Sequence, residues 1–545
     1  MMRFLTFIIS LAVFLDLSTA LAWVDLKNAN LAISRKDFEV EESGPDLILQ
    51  RTYNSRVEHA GIFGRGWCSN VESTLTFVSK TVAVFQFCGV GRAKIFKAKS
   101  YDMAEDSAAM DTLIATIGEK MARDAKIPKD FPTYLKNDIE LRALLVRNYG
   151  VQFPVAEGEK FAISNFPEAS EITISKGRIV MYEEDGDHFE FDSTGALTSI
   201  SDRVGQSIKV VYEKGRLKSL VDSRSARIVF KTDTIGRVLE ATGPGRNIKY
   251  KYSASGELLA VTGLPQNEEY AYDFGHNLVS FKIGKATVTA KYDEKTDRVT
   301  ELATKLCTNR YAYDMKSTAR KMSVELDSNC RDKPREKVKY EFTYKESKSG
   351  QLYQAEMTAT DSKKGKTAVR YADDNRPVWM ERRGIVTEFI YDGAGRLAKV
   401  VSADGQAEYL YDERGRLATF KSSVKKLGKF AKREIKYSYA EDGSLKSTRD
   451  GGVVTTFVYD RQGRITKVAN NRGKKVEVLH RSPAAALPSG MLSSQDGKID
   501  LTYGTTGALV PPRDDVALAR FVSVMATFQE LVEPGSEVLR KVSEP

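Results

Sequence analysis

The feature that most restricts the fold of this sequence is a motif that returns at a nearly constant interval. The segment YDGAGRL begins at Tyr391 and returns as YDERGRL at Tyr411, twenty residues later. Weaker copies extend the series in both directions, and their aromatic positions are Phe191, Tyr212, Phe230, Tyr252, Tyr272, Tyr292, Tyr313, Tyr344, Tyr371, Tyr439 and Tyr459, with degenerate copies at His480 and Tyr503. A series of this length indicates a repeat architecture and not a ligand-binding loop that was duplicated once.

Each copy has the pattern of a β-hairpin. Before the aromatic residue, TEFIYD and AEYLYD alternate apolar and polar side chains, as a half-buried strand does. Asp392 and Asp412 are placed to open a turn, because an aspartate side chain can accept a hydrogen bond from the backbone two residues further on. Gly395 and Gly415 can supply the positive φ that a tight reversal needs. A lone hairpin cannot bury its apolar face, so the copies are predicted to stack into a continuous sheet.

The motif residues therefore have a predicted structural role. We expect the tyrosines to pack between neighbouring hairpins; exposed tyrosines would instead be able to stack on sugar rings. The residues assigned to the motif are Tyr272, Asp273, Tyr292, Asp293, Tyr391, Asp392, Gly395, Arg396, Tyr411, Asp412, Gly415, Arg416, Tyr459, Asp460, Gly463 and Arg464.

The sharpest copies, YDGAGRL, YDERGRL and YDRQGRI, resemble the YD repeats of RHS-type proteins. Upstream, the segment LQRTYNSRVEHAGIFGRGWCSNVE at 49–72 resembles the N-terminal module of the same family. This likeness rests on Tyr53, Asn54, Gly61, Phe63, Gly64, Gly66 and Trp67. From the residues alone, the glycines are interpreted as turn residues and Trp67 as a core anchor.

The resemblance implies a mainly β fold in which the repeats form a spiralling or curved sheet, or a partial shell. Long members of the family carry a C-terminal toxin inside the shell, behind an Asp-Pro and Gly-rich cleavage motif. Here the corresponding segment has Pro511, Pro512 and Asp514 but no Asp-Pro-x-Gly, and no domain-sized segment follows. We therefore do not expect a toxin of this kind.

The N-terminus has the three parts of a secretory signal peptide. Arg3 precedes an apolar run at 4–15, and small residues stand at Ala20 and Ala22. A membrane anchor would need about 20 apolar residues, and Asp16 interrupts the run. We expect cleavage after Ala22, export to the periplasm, cell surface or medium, and no transmembrane anchor in the mature chain.

Export makes the cysteines of this sequence candidates for disulfides. The four cysteines are Cys68, Cys88, Cys307 and Cys330, and the interpretation that we favour pairs each with its nearest neighbour, Cys68 with Cys88 and Cys307 with Cys330. A zinc site is the alternative. No C-x-x-C pair exists and the histidines are scattered, so no metal is expected.

Two segments lack the repeat pattern. Residues 102–149 show apolar residues at helical spacing, with Asp106 or Ser107 as a plausible cap and Gly150 after the second helix. Residues 514–531 predict a terminal helix that covers the last open sheet edge, or alternatively docks a partner. The predicted domains are a signal peptide (1–22), an RHS-like N-terminal β module (23–100), a helical insertion (101–150), a YD-repeat β array (151–510) and a C-terminal cap helix and tail (511–545).

The net charge of the chain is +10, and its densest basic run is KKLGKFAKREIK at 425–436. This run is a candidate for contact with an anionic surface. The interpretation that we favour is a solvated hairpin whose charges protect an exposed edge. The chain has no nucleic-acid recognition motif, so nucleic acid is not an expected partner.

The sequence contains no motif for hydrolysis, metal catalysis or nucleotide binding. His188 lies in an acidic stretch whose spacing does not fit a calcium loop, and His59 lies in the glycine-rich motif. No catalytic residue, cofactor or metal ligand is therefore assigned. Three functions remain: a scaffold that binds surface carbohydrate or protein, a carrier or partial shell for a separately encoded effector, and an enzyme with a site assembled from distant repeats.

Overall fold

A computed structural model describes the chain from Ala22 to Val532, with internal gaps. The gaps are residues 41–46, 57–59, 89–92, 121–130, 164–169, 184–186, 203–204, 224–225, 317–319, 347–351, 364, 374–375, 427–428, 442, 461–463, 482–487, 504–508 and 513. The described residues therefore exclude the predicted signal segment before Ala22 and the predicted tail after Val532. They also exclude His59 and Gly463.

The chain divides into two compact units. Among the described residues, the first holds 22–39, 47–200 and 208–384, and the second holds Val40, 201–207 and 385–532. Both are built mainly of antiparallel β-strands, so the predicted mainly β fold of stacked hairpins is confirmed.

The N-terminal part of the first unit is a small sheet in the order β1-β2-β3-β6, with β4 and β5 paired beside it. Its strands are β1 (Trp23–Asp25), β2 (Asn30–Val40), β3 (Leu47–Asn54), β4 (Ala60–Gly61), β5 (Gly64–Arg65) and β6 (Trp67–Ser69). A short 3-10 turn, Asn70–Glu72, follows.

The remaining strands of the first unit form successive antiparallel hairpins. They are β7 (Thr74–Phe77), β8 (Val82–Gln86), β9 (Ala93–Ala98), β10 (Lys160–Ile163), β11 (Ser170–Ser175), β12 (Arg178–Glu183), β13 (His188–Phe191), β14 (Leu197–Ser201), β15 (Ser207–Glu213), β16 (Arg216–Asp222), β17 (Arg227–Thr232), β18 (Val238–Gly243), β19 (Arg246–Tyr252), β20 (Leu258–Thr262), β21 (Glu268–Tyr272), β22 (Leu278–Ile283), β23 (Ala286–Tyr292), β24 (Val299–Thr304), β25 (Cys307–Lys316), β26 (Lys321–Cys330), β27 (Glu336–Glu346), β28 (Leu352–Asp361), β29 (Lys366–Tyr371) and β30 (Pro377–Arg382). From β15 to β30 each strand pairs with the next along the chain.

The second unit continues the same hairpin pattern. Its strands are β31 (Ile385–Tyr391), β32 (Leu397–Ser402), β33 (Gly405–Tyr411), β34 (Leu417–Lys426), β35 (Lys429–Tyr439), β36 (Leu445–Asp450), β37 (Val453–Tyr459), β38 (Ile465–Asn470), β39 (Lys475–Leu479), β40 (Gly490–Ser493), β41 (Gly497–Asp500), β42 (Thr502–Tyr503) and β43 (Leu509–Val510). Each strand from β31 to β41 pairs antiparallel with its successor.

A β-bulge marks the repeat tyrosine in most copies. The strand register shifts between Ile390 and Tyr391, between Leu410 and Tyr411, and between Val458 and Tyr459. A bulge adds one residue to a strand and increases its local twist. The recurrence of the bulge at one motif position gives successive hairpins the same local geometry.

The insertion after β9 is helical, as predicted, and consists of α1 (Met103–Lys120), α2 (Phe131–Asn137) and α3 (Ile139–Tyr149). The expected cap at Asp106 or Ser107 is wrong. The helix begins earlier, where the Asp102 side chain accepts a hydrogen bond from the Ala104 backbone, and Asp106 instead forms an ion pair with Arg142. Gly150 closes α3 with a φ of 63°, as a C-terminal glycine does.

The insertion packs on one face of the β7–β9 hairpins. Leu113 and Ile117 of α1 and Val146 of α3 join Val82 and Val84 of β8 in one buried cluster. Burial of these side chains stabilises the insertion against the first unit.

The C-terminal helix, α4 (Asp515–Val532), packs on a face of the last strands of the second unit, and cover of the last sheet edge stays a prediction. Its buried residues Val524 and Leu531 pack in one cluster with Val468, Val476 and Met491 on the buried face of β38–β40. The reason is that successive strands leave an apolar face, and an amphipathic helix removes more apolar surface from water on a face than along an edge. No helix in the described part of the chain is long and apolar enough to cross a membrane.

The cysteines form two disulfides, as predicted. Cys68 of β6 is bonded to Cys88, with the Cα atoms 5.7 Å apart. Cys307 and Cys330 lie directly opposite each other on β25 and β26, with the Cα atoms 4.0 Å apart.

Candidate functional site

The YD motif forms a clamp that begins at the turn. In the copy at 411, Asp412 Oδ1 accepts hydrogen bonds from the Arg414 and Arg416 backbone N–H groups at 3.0 and 2.9 Å. Asp412 Oδ2 accepts a further bond from Arg416 Nε at 2.8 Å. Gly415, with a φ of 77°, lets the chain reverse between them.

The arginine of the clamp then reaches the next hairpin. The Arg416 guanidinium lies 4.5 Å from the centre of the Tyr439 ring, and the Tyr439 hydroxyl donates to the Leu417 carbonyl at 2.9 Å. One repeat earlier, Arg396 lies 4.6 Å from the Tyr411 ring centre. The aspartate and glycine of the motif therefore form the turn, and the arginine and the leucine carbonyl bind the tyrosine of the next hairpin. The arginines lie over the tyrosine rings, on the face where a sugar would have to stack.

In the degenerate copy at Tyr252, other side chains link one hairpin to the next. Glu257 stands where the clamp has arginine, and its carboxylate accepts hydrogen bonds from Ser253, Ser255 and the His276 Nδ1 of the next turn. Burial raises the pKa of Glu257, but these hydrogen bonds outweigh that effect and lower the pKa from its ordinary 4.5 to about 2. The carboxylate is thus ionised over the working pH range.

The other predicted motif residues also serve the repeats. Asp293 accepts from Lys295 and Thr296 in its turn, and Asp460 forms an ion pair with Arg464. Asp392 forms the same pair with Arg396 at 2.8 Å. The Tyr292 hydroxyl donates to the Leu278 carbonyl at 3.0 Å.

A buried ion cluster fixes the N-terminal module to the repeats of the first unit. Arg51, fully buried in β3, donates from Nε and Nη2 to Asp37 of β2 at 2.6 and 2.7 Å. Its Nη2 also donates to Glu268 of β21 at 2.7 Å. The Tyr250 and Tyr270 hydroxyls complete the cluster by donating to Asp37 and Glu268 at 2.7 and 2.6 Å.

The cluster stays charged because its groups stabilise one another. Burial opposes the charge on Arg51, but the neighbouring Asp37, Tyr270 and Glu268 raise its pKa well above the ordinary value. Burial likewise raises the pKa of Glu268, but Arg51 and Arg35 outweigh it and lower that pKa. With every charge paired and hydrogen bonded, the cluster is suited to holding two segments together and not to moving a proton.

The aromatic residues of the N-terminal motif extend this interface. Trp67 Nε1 donates to the Tyr272 hydroxyl at 2.9 Å. The Tyr53 hydroxyl accepts a hydrogen bond from the Leu278 backbone at 3.0 Å. The Phe63 ring lies 4.9 Å from the Tyr250 ring.

The motif glycines are needed where two segments pack too closely for a Cβ atom, as well as in turns. Gly64 has a φ of 90°, and a Cβ atom at this position would lie 2.3 Å from the Gly256 carbonyl oxygen. Gly66 has a φ of 73°, and its Cβ would lie 2.7 Å from the Tyr53 ring. At Gly61 the same atom would lie 2.6 Å from the Trp67 carbonyl oxygen. Asn54 donates its backbone N–H to the Gly66 carbonyl at 2.8 Å.

Sequence reasoning missed the buried cluster, although the signal was present. In β3, Arg51 stands in phase with the buried Leu47, Leu49 and Tyr53. A charged residue in a buried phase needs a partner of opposite charge. Glu268 is separated from it by more than two hundred residues, so only the tertiary structure identifies the partner.

A basic groove lies on the exposed face of β33–β35 in the second unit. The segment 421–436 holds seven lysine or arginine residues and one acidic residue, Glu434. The groove has a volume of about 510 Å³, and its lining residues are Gln406, Glu408, Lys421, Ser422, Ser423, Lys432, Arg433 and Glu434. Within the part of the chain that the structure describes, the ammonium groups of Lys421 and Lys432 form no ion pair, and Lys421 lies opposite the carboxylate residues Glu408 and Glu434 in the strand register.

The described residues contain no cluster of His, Cys, Asp or Glu able to hold a metal ion. His188 of β13 packs its ring against Tyr182 of β12 at 5.6 Å. His188 thus lies beside an aromatic neighbour on the paired strand.

Two family models match parts of the chain. Residues 23–96 match a domain of unknown function, DUF6531, and residues 391–421 match the RHS Repeat. The first match includes Asp37 and Arg51 of the buried cluster, and the second includes the clamp at Asp412. None of the curated proteins matches the sequence at a significant level.

Three solved structures match most of the chain at low identity. The TcdB2-TccC3-TEV structure has a TM-score of 0.39 at 12% identity, and TcdB2-TccC3 without its hypervariable C-terminal region has 0.41 at 11%. Each match covers 94% of this chain and 31% of the other. The Photorhabdus luminescens Tc holotoxin pore has a TM-score of 0.41 at 12% identity, over 89% of this chain and 29% of the other. The chain thus spans less than a third of the length of these proteins.

Proposed function

We propose that this chain, which is an RHS-repeat protein, is an exported, non-catalytic scaffold whose repeats recognise carbohydrate or protein at a cell surface. Repeat proteins of this kind bind through the surface that many units make together, and not through one motif. The two disulfides support an oxidising compartment, because such bonds persist outside the cytosol.

The observation that carries the proposal is the contrast between the two faces of the sheet in the second unit. On the buried face, Phe420, Val424 and Ile435 pack in the core. On the exposed face, Lys421 and Lys432 line a groove together with the carboxylate residues Glu408 and Glu434. Exposed, unpaired charges do little for stability, which favours a role in recognition.

Enzymatic activity is not part of the proposal, because the buried charged residues of the first unit form ion pairs with one another. Arg51, Asp37 and Glu268 are all paired within the cluster. A catalytic acid or base needs a group that is free to exchange a proton with a substrate.

The test is a binding panel of purified envelope polymers and surface proteins, measured with the exported chain. An unrelated basic β protein of similar net charge is the control. We expect at least one member of the panel to bind the chain and not the control. Equal binding of the two proteins across the whole panel would contradict the proposal.

A carrier for a separately encoded effector is the second function that we consider, because the family resemblance implies shells that enclose a polypeptide. The test is purification of the chain from its own source, followed by native mass spectrometry. A bound polypeptide in constant stoichiometry is the expected result for a carrier. A mass equal to that of the chain alone, in repeated preparations, would remove this function.

A further inference from the structure

We propose that a small cavity between the N-terminal module and the repeats of the first unit binds a free amino acid with an apolar side chain. The cavity belongs to the first unit and shares no residue with the basic groove. Binding at this place is a function additional to the recognition of surface carbohydrate or protein proposed above.

The cavity lies where the N-terminal module meets the turns of two hairpins. Its walls come from β4, the 3-10 turn, the hairpin β15–β16 and the turn between β17 and β18. The Val238 backbone N–H donates to the Ile62 carbonyl at 2.8 Å, which fixes the module against the second hairpin. The cavity has a volume of about 200 Å³. Pockets for drug-sized ligands measure about 300–1,000 Å³, so this cavity suits a molecule as small as an amino acid.

One wall of the cavity is a repeat tyrosine, Tyr212, that lacks the arginine of the clamp. The turn before it keeps the aspartate of the clamp as Asp192, whose Oδ1 accepts a hydrogen bond from the Ala196 backbone at 3.0 Å. In the clamp the same bond comes from Arg416, so Ala196 stands at the arginine position. Tyr212 is 36% exposed, and in the described part of the chain no arginine or lysine lies over its ring. The ring face that the clamp covers in other copies is therefore open to a ligand.

The Tyr212 hydroxyl is a hydrogen-bond donor in neutral solution. Partial burial raises the pKa of this hydroxyl to about 12, and the Glu72 and Asp192 carboxylates act in the same direction. A phenol that keeps its proton can donate a hydrogen bond to a carboxylate. Tyr212 thus offers an aromatic face and one donor to the same ligand.

Arg216 supplies the positive charge of the cavity. Its Nη2 donates to the Thr234 carbonyl at 2.8 Å, which holds the guanidinium beside the cavity. Among the described residues it forms no ion pair. A guanidinium has five N–H donors in a planar fork that fits a carboxylate, so one bond to a carbonyl leaves donors for a ligand.

Glu72 supplies the opposite charge. Its Oε1 accepts a hydrogen bond from the Ile62 backbone at 2.8 Å, and its Oε2 accepts one from the Ser69 backbone at 2.7 Å, which fixes the carboxylate in the wall. A carboxylate has about four acceptor positions, so an ammonium group can approach it beside these bonds. Glu72 and Arg216 line one cavity, but within the described residues they form no ion pair with each other. The cavity thus presents a negative and a positive group at separate places.

Much of the remaining lining is apolar. Val71 and Leu217 are buried, and Ile62 lies beside them in the wall. Ile235 is 75% exposed, so the packing of the repeats leaves most of this large apolar side chain in water. A ligand with an aliphatic side chain removes part of this apolar surface from water, which favours binding.

A free amino acid matches all of these groups at once. Its carboxylate fits Arg216 and Tyr212, and its ammonium group fits Glu72. A fatty acid has no ammonium group for Glu72, and the N-terminus of a peptide has an amide in place of the carboxylate. Either of these ligands leaves one charged group of the cavity desolvated without a partner, which weakens binding.

The experiment measures binding of L-leucine to the exported chain by titration with saturation-transfer NMR. The comparison ligands are L-leucinamide, which lacks the carboxylate, isocaproate, which lacks the ammonium group, and glycine, which lacks the apolar side chain. The dipeptide Leu-Gly represents a peptide N-terminus. The variant is Arg216→Gln. The matched control is Arg227→Gln, because both arginines are exposed first residues of successive strands, β16 and β17.

We expect L-leucine to bind the parent about tenfold more tightly than L-leucinamide or isocaproate, since each of these lacks one charge-assisted hydrogen bond. Arg216→Gln should weaken L-leucine by about tenfold and leave L-leucinamide within about twofold of the parent, because only the carboxylate contacts Arg216. Unchanged binding of L-leucinamide also shows that the variant is folded. Arg227→Gln should bind every ligand as the parent does, and glycine should not bind.

Absence of L-leucine binding to the parent would overturn the inference. Equal weakening of L-leucine and L-leucinamide by Arg216→Gln would overturn it as well, because Arg216 would then not contact the carboxylate. Equal losses of L-leucine binding in Arg216→Gln and Arg227→Gln would indicate attraction by net charge and would remove the site. If Leu-Gly binds as tightly as L-leucine, the ligand is a peptide N-terminus and the proposed class is wrong.

Discussion

Among single residues, Arg51 combines full burial with a full charge. Its guanidinium is neutralised by Asp37 and Glu268, one from the N-terminal module and one from the repeats. A buried ion pair of this kind adds little net stability compared with an apolar contact, but losing one partner leaves a charge stranded in the core. Arg51 is therefore a point where a single substitution tests how the module is held.

We expect Arg51→Met to lower the free energy of unfolding by about 3–5 kcal/mol, because two buried carboxylates lose their cation. The measurement is urea unfolding followed by fluorescence. The control is Lys231→Met, since Lys231 is 73% exposed and its solvent-screened pair with Glu240 should contribute little to stability. Similar losses in the two variants would contradict the role assigned to the cluster.

Glu257 is the residue through which we expect a dependence on pH. Its folded pKa of about 2 lies below its ordinary 4.5, so the unfolded chain binds more protons between these values. The stabilisation is complete above the higher pKa and is lost as the pH falls through the lower one. Glu257→Gln should be less stable by about 2 kcal/mol near neutral pH.

The same variant should lose less stability than the parent on acidification, because glutamine does not titrate. Urea unfolding at a series of pH values between neutral and strongly acidic gives both curves. Parallel pH profiles for parent and variant would show that Glu257 does not couple folding to protonation.

At the scale of elements, the repeat is a hairpin whose turn is tied to the next hairpin. Asp412 has two separable tasks: its Oδ1 closes the turn, and its Oδ2 holds Arg416, which covers Tyr439. This division explains why the motif couples an aspartate to an arginine four residues later.

We expect Asp412→Asn to be milder than Asp412→Ala, since asparagine keeps the turn acceptor and loses only the ion pair. The alanine variant should cost about 1–3 kcal/mol of unfolding free energy. Glu413→Ala, at the exposed neighbouring position, is the control. Equal stability of the two Asp412 variants would indicate that the turn bonds contribute nothing.

The terminal helix offers a matched pair of substitutions on one element. Val524 is fully buried against the sheet, whereas Val522 is 57% exposed. Val524→Asp should destabilise the second unit by about 3 kcal/mol or more, because it buries an unpaired charge. Val522→Asp should change the unfolding midpoint little, and equal effects at the two positions would refute the observed packing.

At the scale of the whole molecule, the predicted signal peptide determines at which residue the mature chain should begin. β1 begins at Trp23, and the predicted cleavage site follows Ala22. N-terminal sequencing of the exported protein should therefore give Trp-Val-Asp-Leu. A mature protein that still begins with Met1 would contradict the signal peptide.

The charge of the whole chain is also unevenly placed. The net charge is +10, yet the segment 421–436 alone holds seven basic residues and one acid. From the sequence, protection of an exposed edge is the favoured interpretation of this run. The register agrees with it, because β33 pairs with β34 only as far as Val424 and β36 pairs with β35 only from Ile435, so most of the run has no outer neighbour among the described strands.

The amino-acid sequence by itself determined the repeating hairpin, its turn and the disulfide pairs. These features depend on neighbours close in the chain: alternation along one strand, an aspartate and a glycine at a fixed spacing, and two cysteines about one hairpin apart. Their physical causes act over a few residues, so a local pattern is enough to predict them.

Only the tertiary structure decided which distant groups meet. The partner of Arg51 at Glu268, the close approach of Gly64 to Gly256 and the face on which α4 packs all join segments far apart in the chain. The same holds for the groove, where Gln406, Ser423 and Lys432 meet through register. A buried charged group needs a partner, and strand pairing and packing determine which residue that partner is. A sequence pattern contains no information on the distance between residues far apart in the chain.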